Sequence, residues 1–113
     1  MARLLYTVRV TCKDLHQRGR YLAWLVPSHV EAVKAAGAEA VRVTLYDADP
    51  NAAPDSPAAR PAVENAYVFP SRKAFDSYVR DHAPALREDG LKHFPPESGV
   101  TFERKLGEIA YES

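Results

Sequence analysis

A chain of 113 residues has the length of one domain and can bury a core without disulfides or metal ions. Its 15 Lys and Arg residues balance 15 Asp and Glu residues, and this zero net charge disfavours a nucleic-acid-binding function. The single cysteine, the absence of any apolar run of roughly 18 residues and the lack of a signal-peptide pattern predict a cytoplasmic protein with no membrane partner.

Residues 3–12 alternate between two faces, which predicts a half-buried β-strand. The apolar face carries Leu4, Tyr6, Val8, Val10 and Cys12. The second face is mixed and includes Leu5, Thr7 and Arg9.

Residues 15–36 predict a helix that is interrupted near its middle. The apolar stripe consists of Leu22, Leu25, Val26, His29, Val30, Val33 and Ala36. Pro27 lies within this stripe. Because a mid-helix proline removes one hydrogen bond, we expect a kink there or two shorter helices. Gly37 is expected to end the element.

Two further strands are predicted on either side of a proline-rich loop. Residues 39–47 alternate between apolar and polar positions, and residues 63–69 form the third strand. The intervening residues 48–62, ADPNAAPDSPAARPA, hold four prolines and show no apolar period. They predict a mobile loop that is either a lid or an idle insertion.

Residues 71–94 predict a single amphipathic helix followed by its stop signal. Its apolar face is formed by Phe75, Tyr78, Val79, His82 and Leu86. Ser71 is the expected N-cap, and Gly90 is expected just beyond the last helical residue because glycine adopts φ > 0 at little cost. Residues 99–109 contain the fourth strand, and the tail beyond it is expected to fray or to pair with a partner.

The element order β-α-β-β-α-β predicts a single α+β domain over residues 1–113. We expect a ferredoxin-like plait with both helices on one face of a four-stranded antiparallel sheet in the order 4-1-3-2. The other face is expected to carry Leu5, Thr7, Arg9, Arg42, Tyr46, Glu103 and part of Tyr67 and Phe69. Monomers rarely expose such a patch, so the pattern predicts a homodimer joined through its sheets.

Residues 82–94, HAPALREDGLKHF, resemble a motif of a small bacterial family of unknown function. Further matches are Leu5 and Tyr6 with the strand that follows them, Trp24 with His29 and Gly37, and Arg104 with Leu106. That family resembles the dimeric α/β-barrel superfamily, which includes the antibiotic-biosynthesis monooxygenases. The resemblance implies this fold and dimerisation over nearly the whole chain outside the proline-rich loop.

Several side chains are candidates for a site, and each has a structural alternative. His29 and His82 are candidate catalytic bases, but either could instead be a buried neutral histidine, and haem ligation is a further option that the superfamily offers. Trp24 could stack a planar substrate or simply pack. Tyr46 and Tyr67 could be cavity phenols. Candidate anion-binding residues, which could instead form cross-strand ion pairs, are Arg9, Arg42 and Arg104.

Two functions fit these residues. The first is a cofactor-independent monooxygenase or isomerase that acts on an aromatic or enolisable substrate, which is motivated by the superfamily resemblance. The second is a non-catalytic dimeric binding or interaction module. No glycine-rich phosphate loop or metal-ligand spacing is present, so no cofactor and no metal are expected. A cavity of roughly 300 Å³ or more that a histidine faces would favour the first function, and a filled barrel would favour the second.

Overall fold

Four antiparallel strands form one sheet in the computed structural model, which describes residues 2–113. The strands are β1 (Leu4–Thr11), β2 (Ala40–Tyr46), β3 (Ala62–Phe69) and β4 (Thr101–Glu108). Their order across the sheet is β2-β3-β1-β4, with β1 paired to both β3 and β4. Read from the other edge this is the predicted order 4-1-3-2, so the ferredoxin-like α+β fold is confirmed.

Four α-helices cover one face of this sheet. They are α1 (Leu15–Trp24), α2 (Val30–Ala35), α3 (Arg72–Asp81) and α4 (Ala83–His93). Short 3₁₀ turns occur at Pro57–Ala59 and Pro96–Ser98. Among residues 2–113, no helix has the length and apolar character needed to cross a membrane.

The predicted interruption at Pro27 is a π-helical turn, Leu25–His29, between α1 and α2. The wider turn accommodates a residue that has no N–H and whose ring would crowd the preceding carbonyl groups of an α-helix. Ser28 Oγ donates a hydrogen bond to the Trp24 carbonyl at 2.6 Å. Gly37 ends α2 with φ +129°, as expected.

The prediction of one continuous helix over residues 71–94 is wrong. Ser71 does cap α3 by accepting from the Ala74 N–H at 3.1 Å, but the helix ends at Asp81 and a second begins at Ala83. Pro84 lies in the first turn of α4, where its missing N–H costs nothing. Gly90 is correspondingly an interior residue of α4 and not its terminating residue.

The two faces of the sheet differ sharply in burial. The buried residues of the helix-covered face are Leu4, Tyr6, Val8, Val10, Val63, Asn65, Tyr67 and Phe69. Tyr67 and Phe69 were expected to lie partly on the other face, and this is wrong. Tyr67 pairs with Tyr6 and Phe69 with Leu4, so the register places all four on the helix side.

The proline-rich loop is tied to the domain by backbone hydrogen bonds. The Asp49 N–H donates to the Ala58 carbonyl at 2.8 Å, and the Cys12 N–H donates to the Pro61 carbonyl at 2.9 Å. The mobility of the loop, and its role as lid or insertion, stay predictions. The C-terminal tail contacts its own chain through an ion pair between Arg3 and Glu112.

Candidate functional site

A cavity of about 200 Å³ lies between the helix-covered face of the sheet and the helices α1 and α4. The strands contribute Tyr6, Val8, Asn65, Tyr67, Phe102 and Arg104. The helical segments contribute Tyr21, Trp24, His29, Tyr78, Leu86, Arg87, Gly90 and Leu91. The cavity is smaller than the 300 Å³ or so expected of a ligand site, but it is not filled by side chains.

Three residues that line this cavity carry buried polar atoms without a hydrogen-bond partner among residues 2–113. These atoms are Nδ1 of His29, Oδ1 of Asn65 and the hydroxyl of Tyr67. Asn65 and Tyr67 are each only 1% exposed. A buried polar atom without a partner costs about 1–3 kcal/mol, so three at one cavity favour a role in binding. The atoms themselves are covered, so the side chains must turn toward a ligand to bond with it.

Asn65 is held in place by one bond of its amide group. Its Nδ2 donates to the Tyr21 hydroxyl at 3.2 Å, and this contact joins β3 to α1. Burial raises the pKa of Tyr21 to about 12. The phenol therefore remains protonated at physiological pH, and the second amide atom of Asn65, Oδ1, is left without a partner in the described part of the chain.

Burial also sets the protonation of the other titratable groups in the cavity. It lowers the pKa of His29, and Arg104 lowers it further, while Asp89 acts in the opposite direction. Burial raises the pKa of Tyr78 to about 12 and that of Tyr67 further still. At neutral pH the cavity therefore offers a neutral imidazole that can accept a proton and phenols that can donate hydrogen bonds.

The π-helical turn places His29 against Trp24. The ring centroids of Trp24 and His29 are 4.8 Å apart, and those of Trp24 and His93 are 5.5 Å apart. Trp24 also packs on the rings of Tyr21 and Phe94. The indole is thus a fixed wall of the cavity, and it shields the imidazole from water.

Of the eight residues predicted for a site, the structure brings four together at this cavity, namely Trp24, His29, Tyr67 and Arg104. His82 does not join them, because it is exposed where α3 ends and α4 begins. The break in the helix removes it from the apolar face formed by Phe75 and Tyr78.

The other three predicted residues, Arg9, Arg42 and Tyr46, lie on the opposite face of the sheet. The Arg9 guanidinium stacks over the Tyr46 ring at 4.7 Å and lies 3.9 Å from Glu64, which agrees with the cross-strand alternative. Arg42 and Tyr46 border a shallow groove of about 440 Å³ on this face.

Several cavity residues were not predicted from the sequence, and one was predicted only as a member of a larger set. Asn65 interrupts an otherwise apolar strand face, which is a signal that could have identified it. Tyr21 lies four residues before Leu25 on the buried side of α1, a spacing that predicts a shared face. Arg104 was only one of three candidate anion-binding arginines, yet of the three it alone lines this cavity.

The cavity lies in a fold shared with several solved structures. An ethyl tert-butyl ether d (EthD) family protein from Bacillus halodurans C-125 is 13% identical with a TM-score of 0.65, covering 94% of this chain and 98% of its own. A dimeric ferredoxin-like protein from an uncultured marine organism is 13% identical with a TM-score of 0.61, over 100% of both chains. SnoaB, a cofactor-independent oxygenase from Streptomyces nogalater, is 14% identical with a TM-score of 0.57, over 100% of this chain and 97% of its own.

The chain has their ferredoxin-like fold. No family model and no curated protein sequence matches it. At these identities the likeness extends to the backbone arrangement only, so the chemistry of the cavity has to be argued from its own side chains.

Proposed function

We propose that the protein binds a small aromatic or enolisable compound in the cavity and removes a proton from it, as a cofactor-independent monooxygenase or isomerase. The observation that carries this proposal is the grouping of three unpartnered buried polar atoms, on His29, Asn65 and Tyr67, at one cavity with aromatic walls. The fold shared with a protein described as a cofactor-independent oxygenase supports it.

In this proposal the three side chains have separate roles. Neutral His29 accepts a proton from the C–H or O–H group of the substrate, and the electron pair that is left moves onto the substrate oxygen. The Tyr67 hydroxyl, kept protonated by burial, donates to this oxygen as its negative charge develops. Asn65 positions a substrate hydroxyl. In an isomerase, His29⁺ returns the proton to a different carbon. In a monooxygenase, the carbanion adds to dioxygen as the second substrate and takes up the proton to give a hydroperoxide. The O–O bond then breaks as water leaves, and the attacked carbon, which loses its second hydrogen, becomes a carbonyl.

The proposal is tested by following the imidazole signals of the protein by NMR while a panel of phenols and aromatic acids is added. A bound compound is expected to shift the His29 signals and to bind about tenfold or more weakly to the His29→Gln and Tyr67→Phe variants. His16 is exposed on α1 and provides a matched control, so His16→Gln should bind like the unmodified protein. If no compound shifts His29, the proposal is wrong.

A non-catalytic binding module is the second candidate, and the modest cavity of about 200 Å³ favours it. This candidate is tested with a compound that binds at His29. If the compound is recovered unchanged after incubation under air, and exchanges none of its hydrogens in deuterated water, the protein binds it without catalysis.

We also propose that two copies associate through the open faces of their sheets. No helix within residues 2–113 covers this face, and it carries the large apolar side chains Leu5 and Tyr46, which are 37% and 39% exposed. Opposite charges such as Arg42 and Glu103 occur on the same face. The likeness to a protein described as dimeric supports the proposal. Native mass spectrometry of freshly purified protein would report both the dimer and any retained ligand.

A further inference from the structure

Among residues 2–113, the lining of the cavity includes two arginines and no carboxylate, and Asp89, which acts on His29, lies outside this lining. Arg87 on α4 and Arg104 on β4 are exposed residues that line the cavity, and none of the lining residues is Asp or Glu. Neither arginine forms a salt bridge with any of residues 2–113, whereas Arg3, Arg9, Arg18 and Arg80 each do. A guanidinium group at the entrance of an apolar cavity is suited to a carboxylate, which it can bind through two parallel hydrogen bonds.

The strand register places Arg104 across β1 from Asn65, whose Oδ1 has no partner among the described residues. Val8 pairs with Asn65 of β3 on one side and with Arg104 of β4 on the other. All three residues are on the helix-covered face, so Asn65 and Arg104 are two strand spacings apart, roughly 10 Å between backbones. Val8 lies between them on β1, and Gly90 of α4 also lines the cavity. A flat ring on Val8 can therefore present one substituent to Asn65 and another to Arg104.

The volume limits how large that ring system can be. A cavity of about 150 Å³ is known to take up benzene in another protein, and about 200 Å³ leaves room for one ring with small substituents. A linear three-ring compound is much larger than benzene, so we expect it to fit less well in the cavity.

Resting on the proposed function, we infer that the ligand is a monocyclic aromatic acid. Its carboxylate binds Arg104 and Arg87 at the mouth, its ring lies between Val8 and Gly90, and a hydroxyl or carbonyl substituent reaches Asn65 and Tyr67. The acid and its own oxygen substituent thus occupy opposite ends of the cavity.

The test compares three probes by calorimetry on the full chain: 4-hydroxybenzoate, its neutral analogue 4-hydroxybenzamide, and the three-ring acid 9-anthracenecarboxylate. We expect 4-hydroxybenzoate to bind at least about tenfold more tightly than either of the others, because only it combines the charge with the fitting size. Arg104→Gln should remove most of the preference for the acid over the amide, and Arg87→Gln should reduce it. Arg20 is exposed on α1 and away from the cavity, so Arg20→Gln should leave the preference unchanged.

The outcomes separate this inference from the function on which it rests. If the amide binds as tightly as the acid and still shifts the His29 NMR signals, the monocyclic-acid assignment is wrong while the small-molecule function stands. The assignment is also wrong if Arg104→Gln and Arg20→Gln behave alike, or if the three-ring acid binds as tightly as 4-hydroxybenzoate. If neither these probes nor neutral phenols bind, both proposals fall.

Discussion

The Trp24 indole lies against the His29 imidazole with a centroid distance of 4.8 Å and an angle of 30° between the two planes. This contact joins the last residue of α1 to the last residue of the π-helical turn. It contributes to the burial that lowers the pKa of His29.

Replacing Trp24 with leucine should therefore raise the pKa of His29 toward its ordinary value of about 6.5, because water reaches the imidazole once the indole is gone. The pKa is measured by NMR titration of the imidazole protons. Phe94 also contacts Trp24 without contacting His29, so Phe94→Leu is the comparison that keeps the indole in place. An unchanged His29 pKa in Trp24→Leu would mean that other groups bury the ring.

Stability should depend on pH through the same histidine. The pKa of His29 is lower in the folded protein than in the unfolded chain, where it is about 6.5. As the pH falls below about 6.5, the unfolded state therefore binds a proton before the folded state does, and the free energy of unfolding decreases. Above that pH the contribution is fully present.

Denaturant titrations at several pH values between about 7.5 and 5 measure this slope, above the range where most carboxylates titrate. His29→Gln should flatten it, whereas His16→Gln should not. Equal slopes in the unmodified protein and His29→Gln would contradict the assigned burial of the imidazole.

Gly90 offers a way to separate stability from binding. It is an interior residue of α4, and a Cβ atom added there would lie 3.6 Å from Cη2 of Trp24, an ordinary contact distance. Gly90→Ala should thus stabilise the protein by about 1 kcal/mol while narrowing the cavity, so ligand binding should weaken as stability rises.

The matched control is Gly19→Ala in α1, where an added Cβ atom meets nothing within 4 Å. It should give a similar gain in stability, measured by denaturant unfolding, with no change in binding. Equal ligand affinities of the two variants would show that the ligand does not lie next to Gly90.

The strands could be predicted from the sequence because their alternation is a local property. In β1 the apolar residues Leu4, Tyr6 and Val8 occupy alternate positions, and this alternation identifies the buried face of the strand. In β3 the apolar residues Val63 and Val68 point to opposite faces of the strand, so the sequence alone does not show which face is buried. Pairing with β1 decides it, and that pairing is a property of the folded sheet.

The candidate site was harder to predict than the sheet for a related reason. Helical spacing placed His82 with Phe75 and Tyr78, but this holds only if the helix is continuous. A new helix begins at Ala83, with Pro84 in its first turn. The approach of Arg104 to His29 depends on strand register and helix packing together, and neither can be read from a local pattern.

Core substitutions should distinguish a filled position from one that borders the cavity. Leu25 is fully buried, so Leu25→Ala should destabilise the protein by about 2–5 kcal/mol. From the sequence, Leu86 is expected to behave in the same way as a core leucine. In the structure it is only partly buried and lines the cavity, so Leu86→Ala should cost less than Leu25→Ala. Denaturant unfolding of both variants is the measurement, and equal costs would mean that the cavity is collapsed in solution.

The proposed dimer can be broken without touching the core. Leu5 is on the open face of the sheet, and its neighbours across the strands are Val68 and Gly107. Leu5→Arg places an unpaired charge in the proposed sheet-to-sheet contact. Such a charge costs several kcal/mol, so the dimer dissociation constant should rise roughly 100-fold or more.

Sedimentation velocity over a concentration series measures that constant, and circular dichroism verifies that the variant is folded. Leu15 is 65% exposed at the start of α1, away from the open face, so Leu15→Arg introduces the same charge without the expected effect on the dimer. A monomer at micromolar concentration in the unmodified protein would exclude the sheet-to-sheet dimer. Dissociation by Leu15→Arg and not by Leu5→Arg would instead place the contact on the helical side, where it would cover α1 and leave the open face of the sheet to solvent.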